Sequence, residues 1–154
     1  MTSMQTILVT GGCGYIGAHT IVDLIENGFE VISVDNLSRA SAKSLEGIER
    51  ITGKKIKNYP IDLTNKEATE TVFIENPNLV GIIHFAAYKA VGESVEKPLD
   101  YYENNLFSLV HLLNMAVKYK VQHFIFSSSC TVYGNPEMIP VVESTPLQNA
   151  ASPY

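Results

Sequence analysis

Four glycines fall within seven residues near the start of the chain, in the stretch VTGGCGYIG at residues 9–17. Three of them, Gly11, Gly14 and Gly17, form G-x-x-G-x-x-G between a strand-like run and an amphipathic segment. In that setting the first glycine permits a tight turn, the second lets a pyrophosphate approach the backbone, and the third lets helix and strand pack closely. The helix N-terminus then faces the anion. The motif predicts a dinucleotide-phosphate site, and the alternative is a merely tight strand-to-helix turn.

A carboxylate ends the second strand-like run, where it can bind the ribose of such a dinucleotide. Asp35 lies eighteen residues after Gly17 and can accept hydrogen bonds from both hydroxyls of an adenosine ribose. Its charge would repel a 2′-phosphate, so it favours NAD, although Arg39 four residues later could favour NADP instead. Asp62 and Leu63 could give the adenine a hydrogen-bond acceptor and an apolar wall. Asp62 could equally cap a nearby helix.

Hydroxyl side chains at the other end of the chain are the second candidate group. Ser127, Ser128 and Ser129 follow the last strand-like run, where they could bind a ligand or simply satisfy strand-end carbonyls. The last three residues, Ser152-Pro153-Tyr154, have the pattern of an N-cap, a first-turn proline and the second residue of a helix.

The elements that must position these residues alternate between strand and helix. Apolar, β-branched runs at 6–10, 30–35, 56–61, 80–85 and 123–127 indicate buried strands. Apolar spacing predicts a helix from Ile16 to Ile25 with Gly28 as its C-terminal cap, and a second helix after Pro98. The apolar face of that second helix is predicted to comprise Leu99, Tyr102, Leu106, Leu109, Leu113 and Ala116. The alternation predicts an α/β doubly wound parallel sheet, followed by a proline-rich loop across its edge.

Composition fits one domain over residues 1–154 and narrows the class of partner. With 45% apolar and 18% charged residues and a net charge of −5, the chain resembles an ordinary globular protein and lacks a basic surface for nucleic acid. We expect no membrane span and, from Met1–Gln5, no signal peptide. Two separated cysteines, Cys13 and Cys130, fit free thiols in the cytoplasm. His84, His111 and His123 lack ligand spacing, so no metal is expected.

The motifs TGGCGYIGAHT, VDNLSR, HFAAYKAVGESVEKP, YYENN, FSSSCTVYG and the final SPY resemble the UDP-glucose 4-epimerase family, also called UDP-galactose 4-epimerases, of the extended short-chain dehydrogenase/reductase superfamily. The resemblance covers almost the whole chain and corresponds to the N-terminal portion of the family. It implies an incomplete NAD-binding Rossmann domain that ends at the catalytic tyrosine, a UDP-hexose substrate, a homodimer and a role in galactose metabolism. It also implies that the part that binds the sugar lies outside these residues.

The resemblance also implies roles for individual side chains. Ser129 and Tyr154 would be catalytic, and Ser129, Tyr154 and Lys89 would bind substrate. Tyr154 would take the proton of the sugar 4-hydroxyl while hydride passes to NAD⁺; the resulting 4-keto intermediate would turn over and receive the hydride on its other face. Together with the glycine loop, the cofactor contacts would be Gly11, Gly14, Tyr15, Ile16, Gly17, Asp35, Asn36, Leu37, Ser38, Arg39, Asp62, Leu63, Phe85, Ala86, Ala87, Lys89, Asn104 and Tyr154.

Two other functions remain open from the sequence. A sugar-nucleotide 4,6-dehydratase shares the first hydride step but then eliminates water, which needs an acid and base pair just after the serine strand. Cys130-Thr131 stand there instead, which favours an epimerase. A non-catalytic dinucleotide-binding fragment is the second alternative. Because a tyrosine titrates near pH 10, we expect a helix after Tyr154 to carry an activating lysine four positions on, and the 154-residue chain alone to be inactive.

Overall fold

A computed structural model describes residues 5–154 and contains one five-stranded parallel sheet. The strands are β1 (Thr6–Thr10), β2 (Glu30–Val34), β3 (Lys57–Tyr59), β4 (Leu79–His84) and β5 (His123–Phe126). Their spatial order is β3-β2-β1-β4-β5, with every neighbouring pair parallel. This order, which reverses direction beside β1, is that of the doubly wound nucleotide-binding folds, so the predicted fold class is confirmed. The prediction that the chain has no signal peptide rests on Met1–Gln5, and of these residues 1–4 lie outside the described part of the chain.

Helical segments connect the strands. They are α1 (Tyr15–Glu26), α2 (Lys43–Thr52), α3 (Lys66–Glu75), α4 (Val91–Glu96), α5 (Pro98–Tyr102) and α6 (Ser108–Lys118). A π-helical segment, Glu103–Phe107, joins α5 directly to α6, and a short 3-10 turn, Cys130–Tyr133, follows β5. α1 ends at Glu26 with Asn27 as its C-cap. The predicted terminator, Gly28, follows the cap with a φ of +87°, and the Phe29 N–H donates to the Leu24 carbonyl.

Two apolar cores lie on opposite faces of the sheet because side chains alternate along each strand. Ile7 and Val9 of β1 pack with Ile21 and Ile25 of α1 on one face. Leu8 points to the other face. There the core also contains Phe73 of α3 and the α6 residues Leu112, Met115 and Ala116. The sheet is therefore sandwiched between two helical layers, and its carboxyl edge is held rigidly from both sides.

The predicted apolar face of the helix after Pro98 is largely wrong. Leu99, Tyr102, Leu106 and Leu113 are exposed, whereas the buried residues of this segment are Tyr101, Ser108, Leu112, Met115 and Ala116. Apolar residues occur on two faces, and the π-helical segment inserts an extra residue per turn that rotates the helix between α5 and α6. A single 3.6-residue period across 98–118 consequently selects the wrong face.

The proline-rich stretch after β5 has no helix or strand beyond Tyr133. It contains turns and bends, as expected for a loop crossing the sheet edge. No helix among residues 5–154 has both the length and the apolar character that crossing a bilayer requires.

Candidate active site

A groove of about 620 Å³ runs along the carboxyl edge of the sheet. Every site residue named from the sequence lines this groove except Leu37. Ser129 and Tyr154, separated from the glycine loop by more than a hundred residues, lie in the same groove as Gly11 and Gly14. The fold therefore brings the proposed cofactor residues and the proposed catalytic residues together.

The chain's own packing requires two of the three motif glycines. Gly11 has a φ of +67°, and a Cβ there would lie 2.9 Å from the Ala86 nitrogen on the neighbouring β4 loop. A Cβ on Gly17 would lie only 2.2 Å from the Gly11 carbonyl oxygen. Gly12, which the motif omits, is equally constrained, since a Cβ there would lie 2.3 Å from the Ser33 hydroxyl. These glycines fix the shape of the loop.

Gly14 differs from the other glycines of the loop. Its φ of −72° and ψ of 169° suit any residue, and the nearest atom to a Cβ there is the Gly11 oxygen at 3.2 Å. It lines the groove and serves as the N-cap of α1. Within residues 5–154 no side chain caps this helix, and its first turn carries no acidic residue. Because Gly14 has no side chain and no side chain caps α1, the first-turn N–H groups lack a side-chain partner, which is the setting that binds a phosphate.

Asp35 sits at the end of β2, nearly buried, with both carboxylate oxygens already oriented. Oδ2 accepts a bond from the Cys13 N–H at 3.0 Å, and Oδ1 accepts one from the Leu37 N–H at 2.9 Å. The first bond ties the carboxylate to the glycine loop, and the second shapes the turn after β2, where Leu37 has a φ of +60°. Each oxygen retains a second lone pair, so Asp35 can still accept from a ribose hydroxyl.

Asn36, Ser38 and Arg39 form the adjoining wall of the groove. The Ser38 N–H donates to the Asn36 side chain at 3.0 Å, which stabilises the turn. The guanidinium of Arg39 is paired with Glu93 of α4 and lies 4.0 Å from the centre of the Tyr88 ring. Arg39 is thus directed toward α4.

Asp62 does not cap a helix, so that alternative is wrong. The N-cap of α3 is Asn65, whose side chain accepts from the Ala68 N–H at 2.9 Å. Asp62 instead accepts at Oδ1 from both the N–H and the hydroxyl of Thr64, at 2.9 and 2.8 Å. Its other oxygen is left for the groove, which Asp62 lines with the buried Leu63. An acceptor beside an apolar side chain suits an adenine edge.

The loop after β4 is fixed by Asn105, a residue of the YYENN motif for which the sequence predicted no role. Asn105, in the π-helical segment, accepts from the Tyr88 N–H at 2.8 Å and donates to the Tyr88 carbonyl at 3.0 Å. Its neighbour Asn104 donates to Asn105 at 2.8 Å and lines the groove, as does Lys89. The only signal in the sequence was the asparagine pair itself inside a helical stretch, and π-helical segments recur at functional sites.

His84 is a second residue whose position the sequence did not indicate. Its Nδ1 lies 2.6 Å from the Thr10 hydroxyl, which also accepts from the Ala86 N–H at 3.3 Å. Burial lowers the pKa of His84 to about 4, so the ring is neutral at neutral pH. The pair joins the ends of β1 and β4, and His84 is among the residues that line the groove. His111 is also satisfied internally, with Nδ1 3.0 Å from the Leu63 carbonyl oxygen.

The serine end of the groove is organised around Thr131. Ser129 caps the 3-10 turn and accepts from the Thr131 N–H at 3.2 Å, and the two hydroxyls lie 2.9 Å apart. The Thr131 hydroxyl also lies 3.4 Å from the main-chain oxygen of Tyr154. Thr131 therefore links the Ser129 hydroxyl with the main chain of Tyr154, a contact that spacing alone could not reveal.

Neither cysteine forms a disulfide. Cys13 is buried in the glycine loop and Cys130 is exposed on the 3-10 turn. Burial, followed by the charge of Asp35, raises the pKa of the Cys13 thiol to about 11. Within the described residues, no three His, Cys, Asp or Glu side chains lie close enough to hold a metal ion.

A parallel sheet in the order 3-2-1-4-5, a glycine loop at the start of α1 and a carboxylate at the end of β2 define a Rossmann-type dinucleotide-binding domain. A family model described as GDP-mannose 4,6 dehydratase matches residues 8–154, and the chain belongs to that family.

Similar proteins named UDP-glucose 4-epimerase match nearly the whole chain. The Bacillus subtilis protein is 51% identical over 97% of this chain and 44% of its own length. The Dictyostelium discoideum protein is 47% identical over 96% of this chain and 42% of its own length. The resemblance to this family is thereby confirmed, and the chain spans less than half the length of these relatives.

Solved structures give the same result. A Bifidobacterium longum UDP-glucose 4-epimerase in complex with NAD⁺ and UDP has a TM-score of 0.93 and 49% identity, covering 97% of this chain and 44% of that one. A UDP-glucose-4-epimerase from Stenotrophomonas maltophila with bound NAD and formylated UDP-arabinopyranose has a TM-score of 0.90 and 39% identity, with the same coverage of both chains.

Proposed function

We propose that this chain is the NAD-binding part of an epimerase that interconverts UDP-glucose and UDP-galactose through a 4-keto intermediate. The observation that carries the proposal is the meeting of Ser129 and Tyr154 with the glycine loop in one groove. The named relatives and structural neighbours are UDP-glucose 4-epimerases, which supports the same activity and a place in galactose metabolism.

The residues of the groove fit NAD. The open position at Gly14 and the free N–H groups of the first turn of α1 suit a pyrophosphate, and Asp35 has lone pairs for ribose hydroxyls. Asp62 and Leu63 suit the adenine. Phe85, Ala86 and Ala87 line the groove, where the two small alanine side chains leave the backbone accessible, and Asn104 and Lys89 line it as well. Bound NAD⁺ would accept a hydride from the sugar and return it.

Within this site, Ser129 and Tyr154 have complementary roles. The Ser129 hydroxyl is preset by Thr131 and can hydrogen-bond the reacting oxygen of the sugar. Tyr154, as the phenolate, takes the proton from that oxygen and becomes the phenol, which later gives the proton back. Lys89, at the carboxyl end of β4, lies in the same groove and can pair with a phosphate of the substrate.

The dehydratase alternative lacks its chemical groups. The residues after Ser129 are Cys130 and Thr131, and the Thr131 hydroxyl is engaged with Ser129. Neither side chain can serve as the acid of an elimination at neutral pH. A non-catalytic dinucleotide-binding fragment would not need Ser129 and Tyr154 in the same groove as the glycine loop, so their presence there favours an enzyme.

The remainder of the enzyme belongs to the same proposal. The relatives are more than twice as long as this chain, so the sugar-binding side chains would come from a longer protein. A helix following Tyr154, with a lysine four positions on, would lower the pKa of the phenol and activate the base. The 154-residue chain alone would bind NAD but would not convert UDP-galactose to UDP-glucose, which an assay with added NAD⁺ measures directly.

Assembly and location complete the proposal. Six exposed apolar residues of the segment 98–118 follow one another at intervals of three or four residues, a spacing that fits a helix-to-helix interface and supports a homodimer. They are Leu99, Tyr102, Leu106, Val110, Leu113 and Val117. The acidic charge argues against nucleic acid as a partner, and two free thiols fit a cytoplasmic protein without a membrane role.

The replacement Asp35→Ala tests the cofactor part of the proposal. Loss of the ribose acceptor should weaken NAD binding about tenfold and reduce the discrimination against NADP. Isothermal titration calorimetry of both cofactors provides the measurement, with Asp23→Ala on the exposed side of α1 as a charge-matched control. Equal affinity of the unmodified chain for NAD and NADP would show that Asp35 does not read the ribose.

A further inference from the structure

Arg39 carries the positive charge that would attract a 2′-phosphate, yet its guanidinium is paired with Glu93. It lines the same groove as Asp35 and lies four residues beyond it. Its two terminal nitrogens bind the two carboxylate oxygens of Glu93, with Nη1 to Oε2 at 2.7 Å and Nη2 to Oε1 at 2.9 Å. Such a two-point pair fixes the orientation of a guanidinium as well as its position.

The acceptor is itself anchored. Glu93 Oε2 also accepts from the hydroxyl of Tyr101 at 2.8 Å, and that hydroxyl accepts from the Ala90 N–H at 3.1 Å. Tyr101 is almost fully buried, so the carboxylate is tied to the interior of the α4–α5 unit. The hydrogen bond from Arg39, followed by that from Tyr101, lowers the pKa of Glu93 to about 2. The carboxylate is therefore ionised throughout the neutral range.

A second contact directs Arg39 the same way. Its guanidinium lies 4.0 Å from the centre of the Tyr88 ring, a cation–π distance, and Tyr88 packs edge-on against Tyr101 with ring centres 5.5 Å apart. Asn105 fixes the backbone of Tyr88 on both sides. Arg39 is thus held by a carboxylate and a ring that are each immobilised by other residues.

We propose that Glu93 is a positioning residue for cofactor specificity: it sequesters Arg39 and thereby keeps the site selective for a ribose without a 2′-phosphate. Two charges then discriminate against NADP. Asp35 repels the 2′-phosphate directly. Glu93 pairs with Arg39, the cation on the loop after β2, which would otherwise offset that repulsion. The inference rests on the proposed NAD site, because it deepens the specificity of that site.

The test compares two ligands that differ by the 2′-phosphate, 5′-AMP and 2′,5′-ADP, by calorimetry on the 154-residue chain. In Glu93→Gln the freed guanidinium should raise the affinity for 2′,5′-ADP about fivefold relative to that for 5′-AMP. A change of this size is what one exposed charge-assisted contact contributes. Glutamine keeps an acceptor for Tyr101, so the fold is preserved. Glu93→Asp, which retains the charge but shortens the arm and breaks the two-point pair, should shift the ratio in the same direction.

Two controls separate release of Arg39 from a change in net charge. Glu96→Gln removes the same charge from the exposed side of α4 and should leave the ratio unchanged. Arg39→Gln combined with Glu93→Gln should abolish the gain. If Glu93→Gln leaves the ratio unchanged while 5′-AMP still binds, or if Glu96→Gln gives the same gain, the inference is overturned and the NAD site stands. If neither 5′-AMP nor NAD binds the unmodified chain, the proposed function and the inference both fail.

Discussion

The two ends of the groove are built differently. The glycine-loop end, formed by β1, β2 and the loop 11–17, rests on fully buried residues such as Val9 and Thr10, and Asp35 is nearly buried. The serine end, residues 127–154, is mostly exposed and irregular, with Ile139 86% accessible and one 3-10 turn as its only helix. The glycine-loop end is thus held by the sheet, whereas the serine end is held by a few side-chain contacts around Thr131.

If the proposed function holds, cofactor binding takes place at the well-ordered glycine-loop end of the groove and proton transfer at the less ordered serine end. The proposed phosphate and ribose recognition would depend on backbone N–H groups and a carboxylate whose positions the core dictates. The side chains proposed for proton transfer lie on a segment with fewer contacts of its own. Changes at the glycine-loop end should therefore affect folding, and changes at the serine end should affect catalysis alone.

The largest expected effect is that of Gly17→Ala. A methyl group 2.2 Å from the Gly11 oxygen must displace the glycine loop, which should cost about 3 kcal/mol or more and lower the melting temperature accordingly. The matched control is Gly14→Ala, where φ and ψ suit alanine and the nearest atom lies 3.2 Å away. That variant should fold within about 1 kcal/mol of the original but bind NAD at least about tenfold more weakly.

Calorimetry and thermal melts of both glycine variants distinguish their roles. Undiminished NAD affinity in Gly14→Ala would show that its open position does not serve a phosphate. A Gly17→Ala variant that melts normally would mean that the loop is less tightly packed against α1 than the structure indicates.

At the serine end, Ser129→Ala should reduce turnover of a longer epimerase containing this chain about 10²-fold to 10³-fold, because one hydrogen bond to the reacting oxygen is lost. The melting temperature and the NAD affinity should change little, since Ser129 contributes only the cap of a short surface turn. Ser128→Ala is the matched control and should cost less than about tenfold in kcat. Equal losses in the two variants would reduce Ser129 to a structural hydroxyl.

The sequence predicted the glycine-loop end better than the serine end for a physical reason. Strand periodicity, glycine spacing and a strand-end carboxylate are local signals, and the five strands lie within a few residues of their predicted bounds. The pairing of Arg39 with Glu93, of Asn105 with Tyr88 and of Thr131 with Tyr154 joins residues far apart in the chain. Such pairs depend on the completed topology and leave no local pattern.

The helical segment 98–118 shows the other limit of local signals. Its sequence carries apolar residues on two faces, and only the π-helical turn at 103–107 determines which face meets the sheet. An i to i+5 turn has no spacing signature that a 3.6-residue period can detect. The same turn places Asn104 and Asn105 toward the groove, so the feature that defeats the periodicity argument also builds part of the site.

Acid should affect the glycine-loop end through His84. Its pKa falls from the ordinary 6.5 to about 4 on folding, so its contribution to stability is complete above pH 6.5 and is lost as the pH falls from 6.5 to 4. The free energy of unfolding should drop by up to about 3 kcal/mol over that window. Denaturant titrations of His84→Asn should show a flatter dependence of the free energy of unfolding on pH. An NMR titration that places the His84 pKa near 6.5 would contradict the assignment.

Replacement of a cysteine should have the smallest effect, and the chain has one cysteine at each end of the groove. Cys13 is 2% accessible and packed in the glycine loop, so Cys13→Ala should cost about 1 kcal/mol, whereas Cys130→Ala on the exposed 3-10 turn should stay within about 0.5 kcal/mol. Thiol labelling sharpens the contrast, because the thiolate is the reactive form and a pKa of about 11 leaves roughly one Cys13 in a thousand ionised at pH 8. Iodoacetamide should therefore modify Cys130 first and reach Cys13 only when denaturant opens the loop, as mass spectrometry of the peptides would show.

The raised pKa of Cys13 also affects stability in base. The stability that the neutral thiol contributes is intact below pH 9 and is lost between pH 9 and 11, and Cys13→Ala should remove that part of the alkaline loss. Rapid labelling of Cys13 in the folded chain, or an internal disulfide in freshly isolated protein, would mean that the glycine-loop end is as open as the serine end and would erase the distinction between them.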